Sequence, residues 1–252
     1  LQTMLSNESL DLVVLCTPSG LHSKQAILAA KNGVHVVSEK PMATRYEDGL
    51  NMVTACEEAG VRLFVVKQNR YNLPIIELKK AIDKKRFGKI ILATTRVRWK
   101  RDQNYFNLAN WRGTKKIDGG ILWNQASHHI DLLIWLAGSV KSVVAKSRDS
   151  LLKIETEDTA ICLINFNNGA LGIIEATTAV EPKDLEGSVS IIGEKGTVII
   201  GGFAVNKIEN WDFIQMSNSD KRIKTSYNTQ PENVYGFGHQ FMYKDIINKL
   251  LK

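Results

Sequence analysis

The sequence predicts an α/β fold at residues 1–87 and an α+β arrangement at 88–252: an incomplete parallel sheet, then a mostly antiparallel, open-faced sheet with helices on one face. Three observations predict it. Short, mostly apolar runs at 12–16, 34–37 and 63–66 alternate with segments of helical period, the pattern of strands buried on both faces and joined by helical crossovers. Beyond Gly88 the apolar runs are separated by tight-turn residues and no longer by helices. Between those runs lies one glycine-bounded apolar stretch, Gly119 to Gly138, with a polar stripe along it.

The elements follow in chain order. Residues 1–8 carry a helical pattern ahead of the first strand, whose end is marked by Thr17-Pro18-Ser19-Gly20. Residues 21–32 have apolar Ile27 and Ala30 opposed to Lys24 and Lys31, and Asn32-Gly33 supplies a helix stop. The second strand runs into Ser38-Glu39-Lys40-Pro41; a helix from 45 to 59 closes at Gly60; the third strand runs into Lys67-Gln68-Asn69-Arg70. Ligands of parallel sheets bind at the carboxyl ends of strands, which makes these three exits candidate ligand contacts. A helix over 74–85 leads to Gly88, and strands are expected at 90–99, 159–166, 171–178, 188–192 and 197–200. Asn167-Asn168-Gly169 and Gly193-Glu194-Lys195-Gly196 are the hairpin turns among them. Several of these strands are apolar at consecutive positions, so both sheet faces are expected to be covered, one by the helix of residues 119–138 and the other by a second subunit.

Composition excludes several classes. With 252 residues, 44% hydrophobic and 23% charged, the chain is an ordinary globular one. No apolar run reaches the roughly 18 to 20 residues that cross a bilayer, and the first residues lack a signal-peptide pattern. A cytoplasmic protein with no membrane partner is expected. Cys16, Cys56 and Cys162 are far apart and embedded in apolar sequence, which implies reduced core thiols and no metal site. The net charge of +7 favours an anionic partner. Its basic residues are scattered and not interleaved with aromatics, so a phosphorylated small molecule fits better than nucleic acid.

Projected at about 100° per residue, Asn124, His128, Asp131 and Trp135 share one side of the 119–138 helix, opposite Leu122, Ala126, Ile130, Leu133 and Ala137. Buried polar groups need partners, so this stripe either satisfies itself internally or faces a ligand. Lys40 tips the balance toward a ligand. It ends a buried strand and its backbone is stiffened by Pro41, which holds an ammonium at the rim of the sheet. An imidazole and a cation in one cleft suit alcohol oxidation: neutral His128 takes the hydroxyl proton while Lys40 stabilises the developing alkoxide.

Thr17-Pro18 with His22, Gly33-Val34-His35-Val36 running into Glu39-Lys40-Pro41, Arg70, Trp111-Arg112, and Gly119-Gly120 with His128 and Asp131 occur in an order that resembles the Gfo/Idh/MocA family of NAD(P)-dependent oxidoreductases. The resemblance covers nearly the whole chain. It implies a partial Rossmann-type domain at 1–87 and, at 88–252, a substrate-binding sheet domain that forms a homo-oligomer. Carried over by position, it makes Lys40 the active-site lysine and His128 the catalytic base. Thr17, Pro18, His22, Glu39, Lys40, Pro41 and Gln68 would lie near the nicotinamide and its ribose, and Trp111 and Arg112 near phosphates. Arg70, Arg112 and Asn124 join Lys40 and His128 as substrate contacts. Many members carry Asp at the position of Asn124; the amide here would instead exchange hydrogen bonds with substrate hydroxyls.

Residues 39–45, 65–70, 111–114 and 119–128 resemble in particular the UDP-N-acetylglucosaminuronate 3-dehydrogenases of bacterial surface-polysaccharide synthesis. That implies oxidation of a sugar 3-hydroxyl by NAD, a UDP-sugar partner and, as in some relatives, 2-oxoglutarate to reoxidise NADH. The other readings are a non-catalytic sugar or dinucleotide sensor of the same fold, or a dehydrogenase for another sugar or polyol. A glycine-rich dinucleotide fingerprint does not precede residue 12, so the sequence reads as a fragment, expected to bind NAD poorly by itself. Without the acidic residue that reads the ribose, NADP remains an alternative to NAD.

Overall fold

The computed structural model describes residues 1–227, 231 and 235–252. The chain begins with α1 (Gln2–Asn7), β1 (Leu12–Leu15), α2 (His22–Lys31), β2 (His35–Ser38), α3 (Tyr46–Glu58), β3 (Leu63–Val65) and α4 (Leu73–Asp83). Next come β4 (Ile90–Arg98), α5 (Gln103–Asn107), α6 (Gly120–Trp123), α7 (Ser127–Ala137), β5 (Val140–Arg148), β6 (Thr159–Phe166) and β7 (Leu171–Thr177). It ends with β8 (Glu186–Gly193), β9 (Gly196–Gly201), β10 (Lys207–Phe213), α8 (Asn218–Ser226) and α9 (Gly238–Leu250).

The first unit is a parallel sheet in the order β1-β2-β3. Ala26, Ala29 and Ala30 form the buried side of α2, and their small side chains let this helix pack closely with α3 and the sheet around Val13, Leu15, Val36 and Met52. Gly33 adopts φ +72°, a left-handed conformation that stops α2 and turns the chain into β2. On the opposite face, Met242 and Ile246 of α9 pack against Val37 and Val66, so the C-terminal helix belongs spatially to the first sheet.

The second unit is a seven-stranded sheet, β10-β9-β8-β4-β7-β6-β5, in which only β4 and β7 run parallel. Both expected hairpin turns join strands, 167–169 between β6 and β7 and 194–195 between β8 and β9. Helix α7 lays Leu132, Leu133 and Leu136 onto one face of this sheet, in a core shared with Ile164, Phe166, Val189, Ile191 and Trp211. The other face is open in the single chain. Along β6 burial alternates strictly, β5 is exposed throughout, and Val143, Ile161, Leu163 and Leu171 stand in solvent. The consecutive apolar residues of β6 thus serve two different faces, one packed and one bare.

Two details differ from the sequence expectation. The stretch 119–138 is two helices, α6 and α7, broken at 124–126. The carbonyl of Asn124 accepts from Lys40 Nζ and from Ser127 Oγ, so an acceptor that a continuous helix would use internally is turned outward. Strands β5 and β10 and helices α5 and α8 are additional to the predicted set. Helix α8 is fixed by a capping box at Ser217 and Asp220, and Asp220 also receives Arg86 and the Trp211 indole N–H.

Candidate active site

Two strand exits and the break between α6 and α7 meet at the boundary of the units. The Lys40 ammonium donates to Asn124 O at 2.8 Å and to Asn124 Oδ1 at 2.9 Å, and the Lys40 backbone N–H donates to the Glu39 carboxylate at 3.1 Å. One turn beyond Asn124, His128 is 7% exposed, and its Nδ1 is buried without a hydrogen-bond partner among the described residues. Lys67, just past β3, reaches the start of α7 from the other side, its Nζ lying 3.4 Å from Ser127 O. Residues separated by 84 and 60 positions in sequence thus converge on the break between α6 and α7 and on the first residue of α7.

The glycines make this approach possible. Gly119 and Gly120 have φ of +90° and +87°, and a Cβ on Gly120 would sit 2.4 Å from the Glu157 carboxylate. A side chain there would strain the left-handed backbone and displace the Glu157 carboxylate, which accepts from the Leu122 N–H at 3.2 Å.

Electrostatics assign the protonation states. Burial, reinforced by the charges of Lys40 and Lys67 and by His129 and His239, holds the His128 pKa well below the ordinary histidine value. His128 is a neutral imidazole at pH 7 and able to accept a proton. Burial brings Lys40 down to about 8; Glu39 and Asp118 oppose that fall, while Lys67 and Arg101 add to it. Lys40 therefore remains mostly an ammonium at neutral pH, and burial lowers Lys67 as well.

The other predicted residues are distributed unevenly around this centre. Arg70 makes a bidentate pair with Asp131 at 2.7 Å for both contacts, and its guanidinium lies 5.0 Å from the centre of the Trp135 ring. With Pro41, Lys67 and Ser127 this pair lines a cavity of about 930 Å³ whose remaining wall is largely apolar. Thr17 and Pro18 are on the rim of the first sheet, the Thr17 hydroxyl donating to Gln25 at 2.6 Å. His22 is buried, with its ring nitrogens 2.9 Å from Pro41 O and 2.8 Å from Thr17 O. It ties two strand exits together, Thr17 and Pro41, both of which are expected near the nicotinamide. Gln68 is buried at 2% exposure, its Oε1 unpartnered among the described residues.

Trp111 and Arg112 stand apart from Lys40 and His128. The Arg112 guanidinium stacks 4.3 Å from the Tyr105 ring and 5.1 Å from the Trp111 ring, beside a separate cavity of about 800 Å³. The connection to the centre is indirect: Gly113 N–H donates to Asp118 Oδ2 at 2.7 Å, and Asp118 Oδ1 accepts from Asn124 Nδ2. The Asn124 amide, expected to meet substrate hydroxyls, is engaged on both sides by Lys40 and Asp118. Sequence reasoning missed Asp118. Its one signal was an acidic residue directly before the paired glycines, and nothing in the spacing showed that its side chain would be buried.

The family description "Oxidoreductase family, NAD-binding Rossmann fold" matches residues 1–67, and "GFO/IDH/MocA C-terminal domain" matches residues 75–199. Among solved structures, the WlbA dehydrogenase from Bordetella pertussis, in complex with NADH and UDP-GlcNAcA, is 49% identical. The match covers 98% of this chain and 70% of that one with a TM-score of 0.91. The WlbA dehydrogenase from Chromobacterium violaceum, also in complex with NADH and UDP-GlcNAcA, is 46% identical over 99% of this chain and 70% of that one, with a TM-score of 0.92. The 2,7-anhydro-N-acetylneuraminate hydratase of Escherichia coli (strain K12) is 28% identical over 95% of this chain and 66% of its own length. The chain spans about two thirds of that curated relative and 49% of the next, a dehydrogenase of Comamonas testosteroni. The chain belongs to the Gfo/Idh/MocA oxidoreductase family.

Proposed function

We propose that this chain carries the reacting groups of an NAD-dependent dehydrogenase that oxidises the 3-hydroxyl of a UDP-N-acetylhexosaminuronate in the synthesis of surface polysaccharides. The observation that carries the proposal is the convergence of Lys40 and His128, one charged and one neutral at pH 7, on a largely buried cleft between the two units. The kinship to dehydrogenases solved with NADH and UDP-GlcNAcA supports the substrate class, and the net charge of +7 suits an anionic sugar nucleotide.

The residues fit a nicotinamide dinucleotide. Thr17, Pro18, Glu39, Lys40 and Pro41 lie at the carboxyl ends of parallel strands, and the orphaned Gln68 Oε1 is an acceptor suited to a carboxamide N–H. NAD bound there would supply the hydride acceptor. Trp111 and Arg112 would serve the phosphates from the second unit, and Arg70, paired to Asp131, would border the sugar. His128 accepts the hydroxyl proton because burial and two ammonium neighbours leave its imidazole neutral. An ammonium has three donors. Lys40 gives two to Asn124, which leaves the third to hold the oxygen as negative charge develops on it.

Residues 1–87, with α9 packed on their sheet, then form the dinucleotide-binding unit and the rest of 88–252 the substrate and oligomerisation unit, with the bare face of the second sheet as the contact between copies. Reoxidation of NADH by 2-oxoglutarate belongs to the same reading. Among the described residues no helix is long and apolar enough to cross a membrane, and no cluster of His, Cys, Asp and Glu could hold a metal ion. NADH formation with UDP-GlcNAcA, measured on the full-length protein, tests the assignment. His128→Ala is expected to lower turnover by about 100-fold or more while substrate binding persists. Turnover in that variant close to the unmodified rate would remove His128 as the base.

A further inference from the structure

Asp118 is 1% exposed and sits where the second unit meets the first. Its loop is held across the boundary: Gly20 N–H donates to Ile117 O at 3.1 Å and Thr44 Oγ1 to Lys116 O at 3.1 Å. One carboxylate oxygen accepts from Gly113 N–H at 2.7 Å, and the other accepts from the Asn124 amide, whose own oxygen accepts from Lys40 Nζ at 2.9 Å. A carboxylate only accepts, an ammonium only donates, and a carboxamide does both. The row Lys40, Asn124, Asp118 can therefore be written in one direction alone, and the amide cannot be flipped without setting N–H against ammonium and oxygen against carboxylate.

We propose that Asp118 is the positioning residue of this site, supplying through the Asn124 amide the counter-charge that keeps the Lys40 side chain protonated and aimed at His128. The two groups have opposite requirements. Lys40 must stay charged although buried, and His128 must stay neutral. A carboxylate at position 124, one turn from His128, would favour the charged form of both. An amide there passes on the hydrogen bond without the charge, and the charge sits one residue farther back, where its effect on the imidazole is weaker because Coulomb energy falls with distance. The groups acting on Lys40 fit this arrangement. Glu39 and Asp118 favour its charged form; burial, Lys67 and Arg101 oppose it.

The consequence for turnover rests on the dehydrogenase reading above, but the protonation of Lys40 does not, and the test separates them. Lysine Cε NMR titration of the protein, with the Lys40 signal assigned by Lys40→Arg, reads the ammonium directly without cofactor or sugar. Asp118→Asn is expected to move the Lys40 titration down by about 0.5 to 1 pH unit, less than a directly touching carboxylate would. The double variant Asp118→Asn/Asn124→Asp exchanges amide and acid while keeping every donor opposite an acceptor. It is expected to return the titration to its original position or above. If Asp118→Asn does not fold, Asn124→Leu cuts the same connection while leaving the Gly113 contact, and is expected to shift Lys40 in the same direction. An unmoved Lys40 titration in whichever of these variants folds, or a double variant that fails to restore it, overturns the proposal. A shift in titration that the alkaline limb of turnover does not follow would leave the relay standing and remove Lys40 from the reaction.

Discussion

His129, the neighbour of the proposed base, gives a quantitative expectation for acid stability. It is fully buried, its ring meets Trp99 edge-on at 5.5 Å, and neither ring nitrogen has a hydrogen-bond partner among the described residues. Burial holds its pKa at about 4, against an ordinary value of 6.5. In the unfolded chain His129 takes up a proton near pH 6.5, whereas in the folded protein it stays neutral until about pH 4. The unfolded state therefore binds more protons across that window, and stability falls as pH drops through it. At about 1.4 kcal/mol per unit of pKa, the loss amounts to roughly 3 kcal/mol, complete near pH 4. His129→Leu removes the titrating group at similar volume and leaves no donor or acceptor unpaired. Urea unfolding at about pH 7 and about pH 4.5 measures the difference. The variant is expected to lose about 2 kcal/mol less than the unmodified protein over that interval, since carboxylates and His128 contribute equally to both. Parallel pH dependence in the two proteins would refute the claim that His129 is buried neutral.

Turnover is expected to decline above about pH 8 as Lys40 deprotonates, and to hold on the acid side well below pH 6.5 because His128 stays neutral there. A pH-rate profile with its alkaline limb near the ordinary lysine value of 10.5 would contradict the burial of Lys40. Asp220→Ala should cost about 3 to 5 kcal/mol in chemical denaturation. That carboxylate is buried and accepts from Arg86 at 2.6 and 2.9 Å, from the Trp211 indole at 2.8 Å and from Ser217 N–H at 2.7 Å. A loss below about 1 kcal/mol, the range of an exposed ion pair, would refute the buried role. Leu163→Glu places a charge on the bare face of the second sheet, where Leu163 is 57% exposed. Sedimentation should show the variant as a smaller species than the unmodified protein, and an unchanged mass would exclude this part of the face as the subunit contact.

What the sequence disclosed followed physical necessity. Strands β1 to β3 were legible because strands within a parallel sheet are mostly apolar, and because Gly33 and Gly60 punctuate the helices between them. The hairpins were legible at their turns. Strand β5 was not, because it is exposed along its whole length and needs no apolar alternation, and α8 was not, because one capping box and the buried Asp220 hold it where a broad apolar face would otherwise be needed. The site divides in the same way. Lys40 was legible from its place at a strand exit. The break at 124–126 was not, since Gly120 to Ala137 reads as one helix until a partner distant in sequence takes the Asn124 carbonyl. Asp118 escaped for the same reason, its significance being wholly tertiary.

The placement of these groups explains why the cleft forms at the boundary and not within either unit. A buried ammonium needs acceptors; the Glu39 carboxylate takes the Lys40 backbone N–H, and the carbonyl and amide oxygens that the ammonium uses come from the second unit. A buried imidazole on α7 would titrate lower from burial alone, but the additional depression comes from Lys40 and Lys67, which the first unit supplies. Each unit thus holds groups whose protonation is completed by the other. Separating the units would let Lys40 return toward the ordinary lysine range and His128 toward 6.5, so the base is tuned only in the assembled cleft. The chemistry proposed here is in that sense a property of the interface. Its free-energy cost is the burial of two cations and an imidazole, offset by the Arg70–Asp131 pair and by the Gly20–Ile117 and Thr44–Lys116 hydrogen bonds that bind the two units across the same boundary.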